Sequence, residues 1–566
     1  MNKNDIRVVD FFSGAGGWSE GLRQQGFRTV MAIDNWAPAV ETHNINHHLQ
    51  DKPTDVLIFE KCPWQEIDRA IPDAEIIVGS PPCVSFSMSN KAGKADKSLG
   101  IRLIETYLRI LTVKKFKKGS VLLAWYLENV PNSRNFVKEE YAFKDLGLRG
   151  FSKEMGIKEG AVALRVKDNG DILCAADYGS PQKRERFVCG ELLTKKGAGR
   201  FLAPDKTHAP ENYVTLGQIK NSLPAPNCEL NASLFHDPNY SNLVLPLCQI
   251  TDHFYDTGVY QVEWESARAA KVNHPFMGRM DFPEDENRPS RTIMATRSAS
   301  TREAIIYRSE YARKGDGEYR LPTIREAACL MGFPFTYQFV GSEGTKWKQI
   351  GNAVCPHMIA AIGKKLREAL GLSPLREPYF QTVLNLNSFA ERSFNAPPGK
   401  KADAKFRRHP FKLGNMTVAL INFHPTDKTA GDTGKVWRAC VYVGSGKDFK
   451  PFEIGVGEMK LISSLLKSEK RGADFMEEFV TAFRGKVGRQ DELQKMHVEH
   501  VDVGPLLKPS ALIDTIAKFI EKVSPGTETV VHEELKGIVG RERVPKKQLL
   551  AMFAIGFVVQ EAKRRR

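Results

Sequence analysis

The chain has 566 residues, 42% apolar, 26% charged and 9% aromatic; at roughly 150 residues per domain this is material for two to four globular domains, and it excludes a disordered, collagen-like or disulfide-scaffold protein. Lys and Arg number 82 against 67 Asp and Glu, a formal charge of +15, so the long-range field favours a polyanion such as nucleic acid or an acidic surface. Only +5 of that excess falls within residues 1–375, and the last third of the chain carries the other +10.

Nine cysteines occur without a Cys-x-x-Cys pair, which argues against a disulfide framework or a zinc ribbon and for a reducing compartment. No apolar signal run precedes the first strand, and no stretch approaches the 18 or so apolar residues of a membrane helix. The expectation is a cytosolic protein, or a nuclear one in a eukaryote, with no membrane partner.

In chain order, residues 6–12 read as a strand that ends in Ser13-Gly14-Ala15-Gly16-Gly17. Residues 18–25 follow as an amphipathic helix and 29–33 as a second strand closed by Asp34. In such a unit the glycines let the backbone approach a nucleoside cofactor, and the acid can bond ribose hydroxyls. A third strand at 74–78 stops at Gly79-Ser80-Pro81-Pro82-Cys83, and a fourth at 121–127 stops at Glu128-Asn129-Val130-Pro131. Carboxyl ends of strands form the ligand crevice of open α/β sheets, so these three ends are expected at one site. From about 190 to 291 the alternation gives way to Pro-, Asn- and His-bearing segments. Regular structure resumes with a helix at 323–331, where Thr323 and Glu326 have the spacing of a capping box. Another helix ends near Leu370-Gly371, and Ser373-Pro374 reads as a boundary. The tail opens on the linker-like Ala396-Pro397-Pro398-Gly399-Lys400-Lys401 and continues with strands at 416–423, 436–443 and 451–456, then helices at 473–483, 510–523 and 546–559.

Phe12-Ser13-Gly14-Ala15-Gly16-Gly17, Pro81-Pro82-Cys83, Glu128-Asn129-Val130, Gln182-Lys183-Arg184-Glu185-Arg186, Arg325-Glu326-Ala327-Ala328 and Gly351-Asn352-Ala353-Val354 stand in the order in which similar motifs occur in the cytosine-5 DNA methyltransferases. Residues 5–370 resemble that family. The resemblance implies a Rossmann-like α/β methyltransferase domain at 1–194 and 316–372 and a smaller target-recognition domain at 195–315; beyond it, the residue pattern itself reads as a linker at 373–400 and an additional α+β domain at 401–566. The resemblance further implies S-adenosyl-L-methionine as cofactor, double-stranded DNA as substrate, and a cytoplasmic enzyme of a bacterial or phage restriction-modification system with a cognate restriction endonuclease.

The chemistry asks for these residue types. C5 of cytosine is a poor nucleophile until something adds at C6, and a thiolate can add and leave again. By resemblance Cys83 attacks C6 of a flipped cytosine. Glu128 bonds N3 and the exocyclic amine and supplies a proton, so its pKa is expected to be raised by desolvation. Arg186 contacts O2, Arg184 holds the backbone or the Cys83 loop, and Gln182 supports nearby groups; Arg184 and Arg186, two apart on an extended segment, are expected on one side. For the cofactor the resemblance points to Phe12, Gly14, Gly16, Asp34, Pro81, Asn352 and Val354. Asp55 and Glu66 compete for the adenine amine. No metal is required, and His43, His47 and His48 read as surface or packing residues. Within the variable segment, residues 288–293 and 296–302 place Arg and hydroxyl side chains suited to base edges and phosphates.

The tail lies outside the resemblance. Its charge suits an accessory domain for DNA or a protein partner. Glu458-Met459-Lys460 offers a weak nuclease-like spacing that recurs at four other places in the tail. A tRNA methyltransferase and a catalytically idle DNA-binding regulator are the alternative functions.

Overall fold

The computed structural model describes residues 5–82, 97–193, 199–272, 278–311, 318–380, 394, 408–422, 436–444, 450–499 and 503–564. The chain divides into two compact units, 1–396 and 397–566.

The first unit is built on a six-stranded sheet. Its elements open with β1 (Arg7–Phe11), α1 (Gly17–Gln24), β2 (Arg28–Ile33), α2 (Ala37–His47), α3 (Trp64–Ala70), β3 (Ile76–Gly79), α4 (Lys97–Phe116) and β4 (Ala124–Asn129). A small pair, β5 (Glu140–Ala142) and β6 (Val162–Arg165), brackets α5 (Arg149–Glu154), and β7 (Gly170–Cys174) and β8 (Glu185–Leu192) complete the set. The sheet order is β2-β1-β3-β4-β8-β7. The first four strands run parallel, whereas β8 is antiparallel to both its neighbours. Phe11 stands opposite Gly79, Gly79 opposite Leu127, and Asn129 opposite Phe187. The carboxyl ends of β1, β3 and β4 therefore share an edge with the amino end of β8.

The strands are apolar on both faces because both faces are covered. Val8, Ile76, Val78, Ala124 and Tyr126 belong to one core with α1 and the last helices, while Val9, Phe11, Ile77, Trp125 and Leu127 belong to another with α4 and the β5–β6 pair. Each large apolar side chain fully buried in this way contributes about 1.5–3 kcal/mol. β4 starts and ends two to three residues later than hydrophobicity indicates, so Glu128 and Asn129 lie within the strand. The cause is the pairing with β8, which runs to Asn129 opposite Phe187.

After Leu192 regular structure thins to α6 (Leu216–Ser222), the pair β9 (Leu234–His236) and β10 (Val244–Pro246), α7 (Gln261–Val272), and the pair β11 (Tyr307–Arg308) and β12 (Tyr319–Arg320). Residues 195–315 do not separate as a unit of their own. Leu216, Ile219, Ile293, Ile305 and Tyr307 join the main core, and Lys183 and Ser290 are tied by backbone bonds between 181–183 and 290. α8 (Ile324–Met331) has the expected capping box between Thr323 and Glu326. It is followed by α9 (Glu343–Asn352) and α10 (Pro356–Ala369). Gly17 and Gly21 on α1 make room for the start of α10: a Cβ would lie 2.1 Å from the Val354 carbonyl oxygen at Gly17, and 2.6 Å from both Ile359 Cβ and the Pro356 carbonyl oxygen at Gly21. The break at Ser373-Pro374 is not a unit boundary, since Tyr379 N donates to Gln24 O and Asn242 bonds Glu377.

In the second unit, β13 (Arg408–Leu413), β14 (Met416–Ile421), β15 (Arg438–Val443) and β16 (Lys450–Glu453) form an antiparallel sheet in sequence order. α11 (Val456–Ser468), α12 (Gly472–Phe483), α13 (Gln490–Glu499), α14 (Pro509–Val523), α15 (Leu535–Val539) and α16 (Lys546–Arg564) accompany it, with β17 (Thr529–Val531) paired to β18 (Arg543–Pro545). The strand expected at 451–456 ends at Glu453, because Glu458 turns back to accept from Gly455 N and starts α11. Glu458 is thereby engaged as a helix cap. Among the described residues no helix is long and apolar enough to cross a membrane.

Candidate active site

The shared edge of the sheet carries a cavity of about 570 Å³ lined by residues 12–15, 34–36, 54–56 and 80–82, by Glu128, Val130 and Arg186, by Lys348, Gln349 and residues 352–354, and by Leu103 from α4. Of the residues singled out from the sequence, Phe12, Gly14, Asp34, Asp55, Pro81, Glu128, Arg186, Asn352 and Val354 line it. Cys83 follows the lining Pro82 and lies outside the described residues.

The loop after β1 turns sharply. Phe12 has φ +53° and Gly14 φ +53°, conformations that cost a side chain about 1–2 kcal/mol except at glycine. Gly14 N donates to Asp34 Oδ2 at 3.0 Å, and Trp36 N donates to Oδ1 at 2.8 Å. Burial raises the Asp34 pKa against these backbone bonds. Asp55 caps the short 3₁₀ turn Val56–Phe59 by accepting from Leu57 N at 2.9 Å. Glu66 sits in α3 and does not line the cavity. Gly16 lies behind the loop instead of in the lining: with φ +90°, its missing Cβ would stand 2.5 Å from Tyr337 Oη.

At the other end of the cavity Glu128 is 5% exposed and meets Arg186, Nε to Oε1 at 2.9 Å. Burial pushes the Glu128 carboxyl up, while Arg186, Arg184 and a hydrogen bond from Ser80 pull it down; the net direction is upward. The Ser80 hydroxyl also accepts from Trp18 Nε1 at 2.8 Å. Asn129 Nδ2 donates to the Pro81 carbonyl at 3.0 Å and so fixes the entry to the Pro81-Pro82 segment.

Arg184 and Gln182 are brought near but not into the cavity. Arg184 precedes β8, and its guanidinium donates to the carbonyls of Gly351 at 3.0 Å, Ala353 at 2.9 Å and Ile293 at 3.3 Å. The two arginines thus diverge, Arg186 toward Glu128 and Arg184 onto the backbone of 351–353. Gln182 is fully buried; its Oε1 accepts from Ile293 N and its Nε2 donates to Leu330 O. Arginines of the variable segment are committed inside the unit as well. Arg291 pairs with Glu284, Arg297 pairs with Glu343 and stands over Trp347, and Arg302 donates to Gly278 O. Arg288 is largely exposed and pairs with Asp285.

Sequence reasoning missed Trp36, Lys348 and Gln349, all in the lining, and gave Ser80 no role of its own within the strand end expected there. Trp36, two residues beyond the acid that ends β2, was the findable one; Lys348 Nζ lies 4.6 Å from its ring centroid, a contact that depends on α9. His43 is buried in a polar cluster, and His48 is at the surface in a left-handed conformation.

A family model described as C-5 cytosine-specific DNA methylase matches residues 6–368. A type II methyltransferase of Haemophilus parahaemolyticus is 24% identical over 380 residues, covering 63% of this chain and 86% of that protein. One from Herpetosiphon aurantiacus is 27% identical over 398 residues, covering 68% of this chain and all of that protein. Among solved structures, a methyltransferase of Entamoeba histolytica aligns at 16% identity and a TM-score of 0.40, covering 65% of this chain and 99% of that one.

Proposed function

The chain belongs to the C-5 cytosine-specific DNA methylases, and on that premise we propose that it transfers the methyl group of S-adenosyl-L-methionine to C5 of a cytosine flipped out of duplex DNA, as the modification partner of a restriction endonuclease. The observation that carries the reading is the single cavity in which Phe12, Asp34, Asp55, Pro81, Glu128, Arg186, Asn352 and Val354 meet.

The lining fits the cofactor by its chemistry. Phe12, Trp36 and Val56 offer apolar surface, and Asp34 and Asp55 offer carboxylate acceptors at the same end. Asp34 accepts backbone bonds on both oxygens, yet a carboxylate has about four acceptor sites, which leaves capacity for ribose hydroxyls. Ser13 Oγ and Gln349 Oε1, in two lining residues, are buried without a protein partner. Asp55 is the acid for the adenine amine in this reading, and Asn352 with Val354 closes the methionine end. When bound, the cofactor supplies an electrophilic methyl on a sulfonium.

The cytosine end of the cavity falls to this chain's own residues. A base stacked in a duplex shelters its faces, so it has to be extruded, with cationic surface holding phosphates meanwhile. The Cys83 thiolate bonds C6 as Glu128 delivers its proton to N3, and the enamine-like C5 takes the methyl; loss of the C5 proton to solvent, return of the N3 proton to Glu128 and breaking of the sulfur–C6 bond regenerate the thiolate, the acid and the aromatic ring. Arg186 holds Glu128 in place and faces the base at O2. Arg184 acts at one remove, through the backbone of 351–353, and Gln182 through Ile293.

The relatives' designation as type II methyltransferases supports the restriction-modification setting. The test is Cys83→Ala: methyl incorporation into DNA is abolished while cofactor binding persists, and near-normal turnover would exclude the covalent route.

A further inference from the structure

A chain of polar side chains runs behind the cofactor loop and takes no part in the reaction above. The Tyr337 hydroxyl donates to the Ala15 carbonyl at 2.5 Å and stands where a Cβ on Gly16 would be. His47 Nε2 lies 3.2 Å from that hydroxyl, and the His47 ring rests on His43 at 4.4 Å between centroids. His43 Nε2 is 2.9 Å from Ser19 Oγ, which donates to Asp10 Oδ2 at 2.7 Å. Asp10, Ser19 and His43 are fully buried and Tyr337 is 1% exposed. Because the tyrosine proton is committed to Ala15, His47 has to present an N–H to the tyrosine oxygen; burial, the first cause, keeps both imidazoles neutral by lowering their pKa values, His43 to about 3. The Ala15 carbonyl, which can only accept, fixes the direction of this hydrogen bond, and His47 completes the tyrosine oxygen by donating to it.

The loop it ends on is the one that matters. Ser13, Gly14 and Ala15 line the cavity, and Gly14 N is bonded to Asp34. Tyr337 comes from the segment after α8, more than 300 residues away in sequence, and His47 from the end of α2. A fold needs neither group to be polar here; Phe333 and Phe339 flank Tyr337 with rings alone.

We infer that Tyr337 is a positioning residue for the cofactor: its hydroxyl, oriented by His47, pins the Ala15 carbonyl so that the backbone of 13–15 presents a preformed surface to the bound nucleoside. This rests on the reading of the cavity as the S-adenosylmethionine site. It acts through the loop, so it governs affinity for the cofactor and leaves the chemical step alone.

The test uses the full chain and calorimetric titration of S-adenosylmethionine and of its demethylated product, with kcat and KM on duplex DNA. Tyr337→Phe is expected to weaken binding of both ligands about five- to tenfold, the scale of one hydrogen bond, with kcat at saturating cofactor within twofold of the parent. His47→Leu is expected to give a similar loss, while His47→Gln, whose amide N–H can serve the same oxygen, stays within twofold. Affinity unchanged in both Tyr337→Phe and His47→Leu overturns the inference, as does a fall in kcat at unchanged cofactor KM. If Tyr337→Phe does not fold, the contrast between Leu and Gln at position 47 decides alone: equal losses in the two overturn it. A parent protein that binds neither ligand refutes the cofactor reading of the cavity and is distinguishable from either result.

Discussion

A carboxyl that donates a proton near neutrality has to keep it beside a guanidinium, and Glu128 is held at that balance. Burial raises its pKa, with Arg186 the first of the groups that lower it. The active form is the protonated one, so the single-turnover rate falls as pH rises through the folded pKa. Arg186→Ala removes the largest lowering influence; the alkaline limb moves to higher pH even as the maximal rate drops, and a limb displaced to lower pH would contradict the assignment. Glu128→Gln keeps the shape and loses the proton, so the rate falls about 10²–10⁴-fold with cofactor affinity intact. Asp10 offers a stability test at the same scale. Burial, against hydrogen bonds from Ser19, pushes it up to about 7, whereas unfolded it titrates near the ordinary aspartate value of about 3.9. Between these values the folded state holds a proton that the unfolded state has lost, so the stability this group contributes is full below about pH 4 and is lost as pH rises through about 7. Asp10→Asn is expected to raise Tm at pH 8 and to raise it less at pH 5; an equal gain at both, or a loss at pH 8, would show that the carboxyl is not held neutral.

At the scale of elements, the site depends on how closely α1 and the segment leading into α10 approach. A methyl group at Gly17 would stand 2.1 Å from the carbonyl oxygen of Val354, a lining residue. Gly17→Ala must push that segment outward, at about 1–3 kcal/mol of overpacking, so thermal denaturation should show a lower Tm and titration a weaker cofactor complex. At Gly14 a Cβ meets nothing within 4 Å, and Gly14→Ala costs only the strain of φ +53°. A Gly17→Ala protein as stable as the parent would mean that the two segments are not in this contact. The same elements show what was legible beforehand. The turn after β1, the acid ending β2 and the proline segment after β3 each follow from local chemistry, and the structure puts Phe12, Asp34 and Pro81 in one lining. β4 was displaced because the apolar run at 121–123 extends the pattern while only pairing with β8 sets the end. Arg184 and Arg186 were expected to face one way by strand alternation, yet Arg184 precedes β8 and is claimed by the carbonyls of 351–353. Gly16 was legible as a special backbone position but not as the seat of the Tyr337 hydroxyl, since that contact spans more than 300 residues. α4 and α9 were missed, and with α9 went Lys348 and Gln349.

Over the whole molecule, the family match ends at residue 368 and the first compact unit at 396, whereas two thirds of the positive excess lies beyond residue 375. The second unit has its own sheet and core. A chain ending at 396 is expected to fold and to methylate the same site, with weaker DNA affinity and a shallower dependence of binding on salt, because fewer phosphates are neutralised. Unchanged affinity and salt slope would remove DNA from the roles of the second unit. Duplex DNA incubated with the full chain and S-adenosylmethionine should acquire 5-methylcytosine at a defined sequence, read as protected cytosines after bisulfite conversion. Methyl groups found on adenine, on the exocyclic amine of cytosine or on tRNA alone, or a chain that binds the cofactor and methylates no DNA, would contradict it.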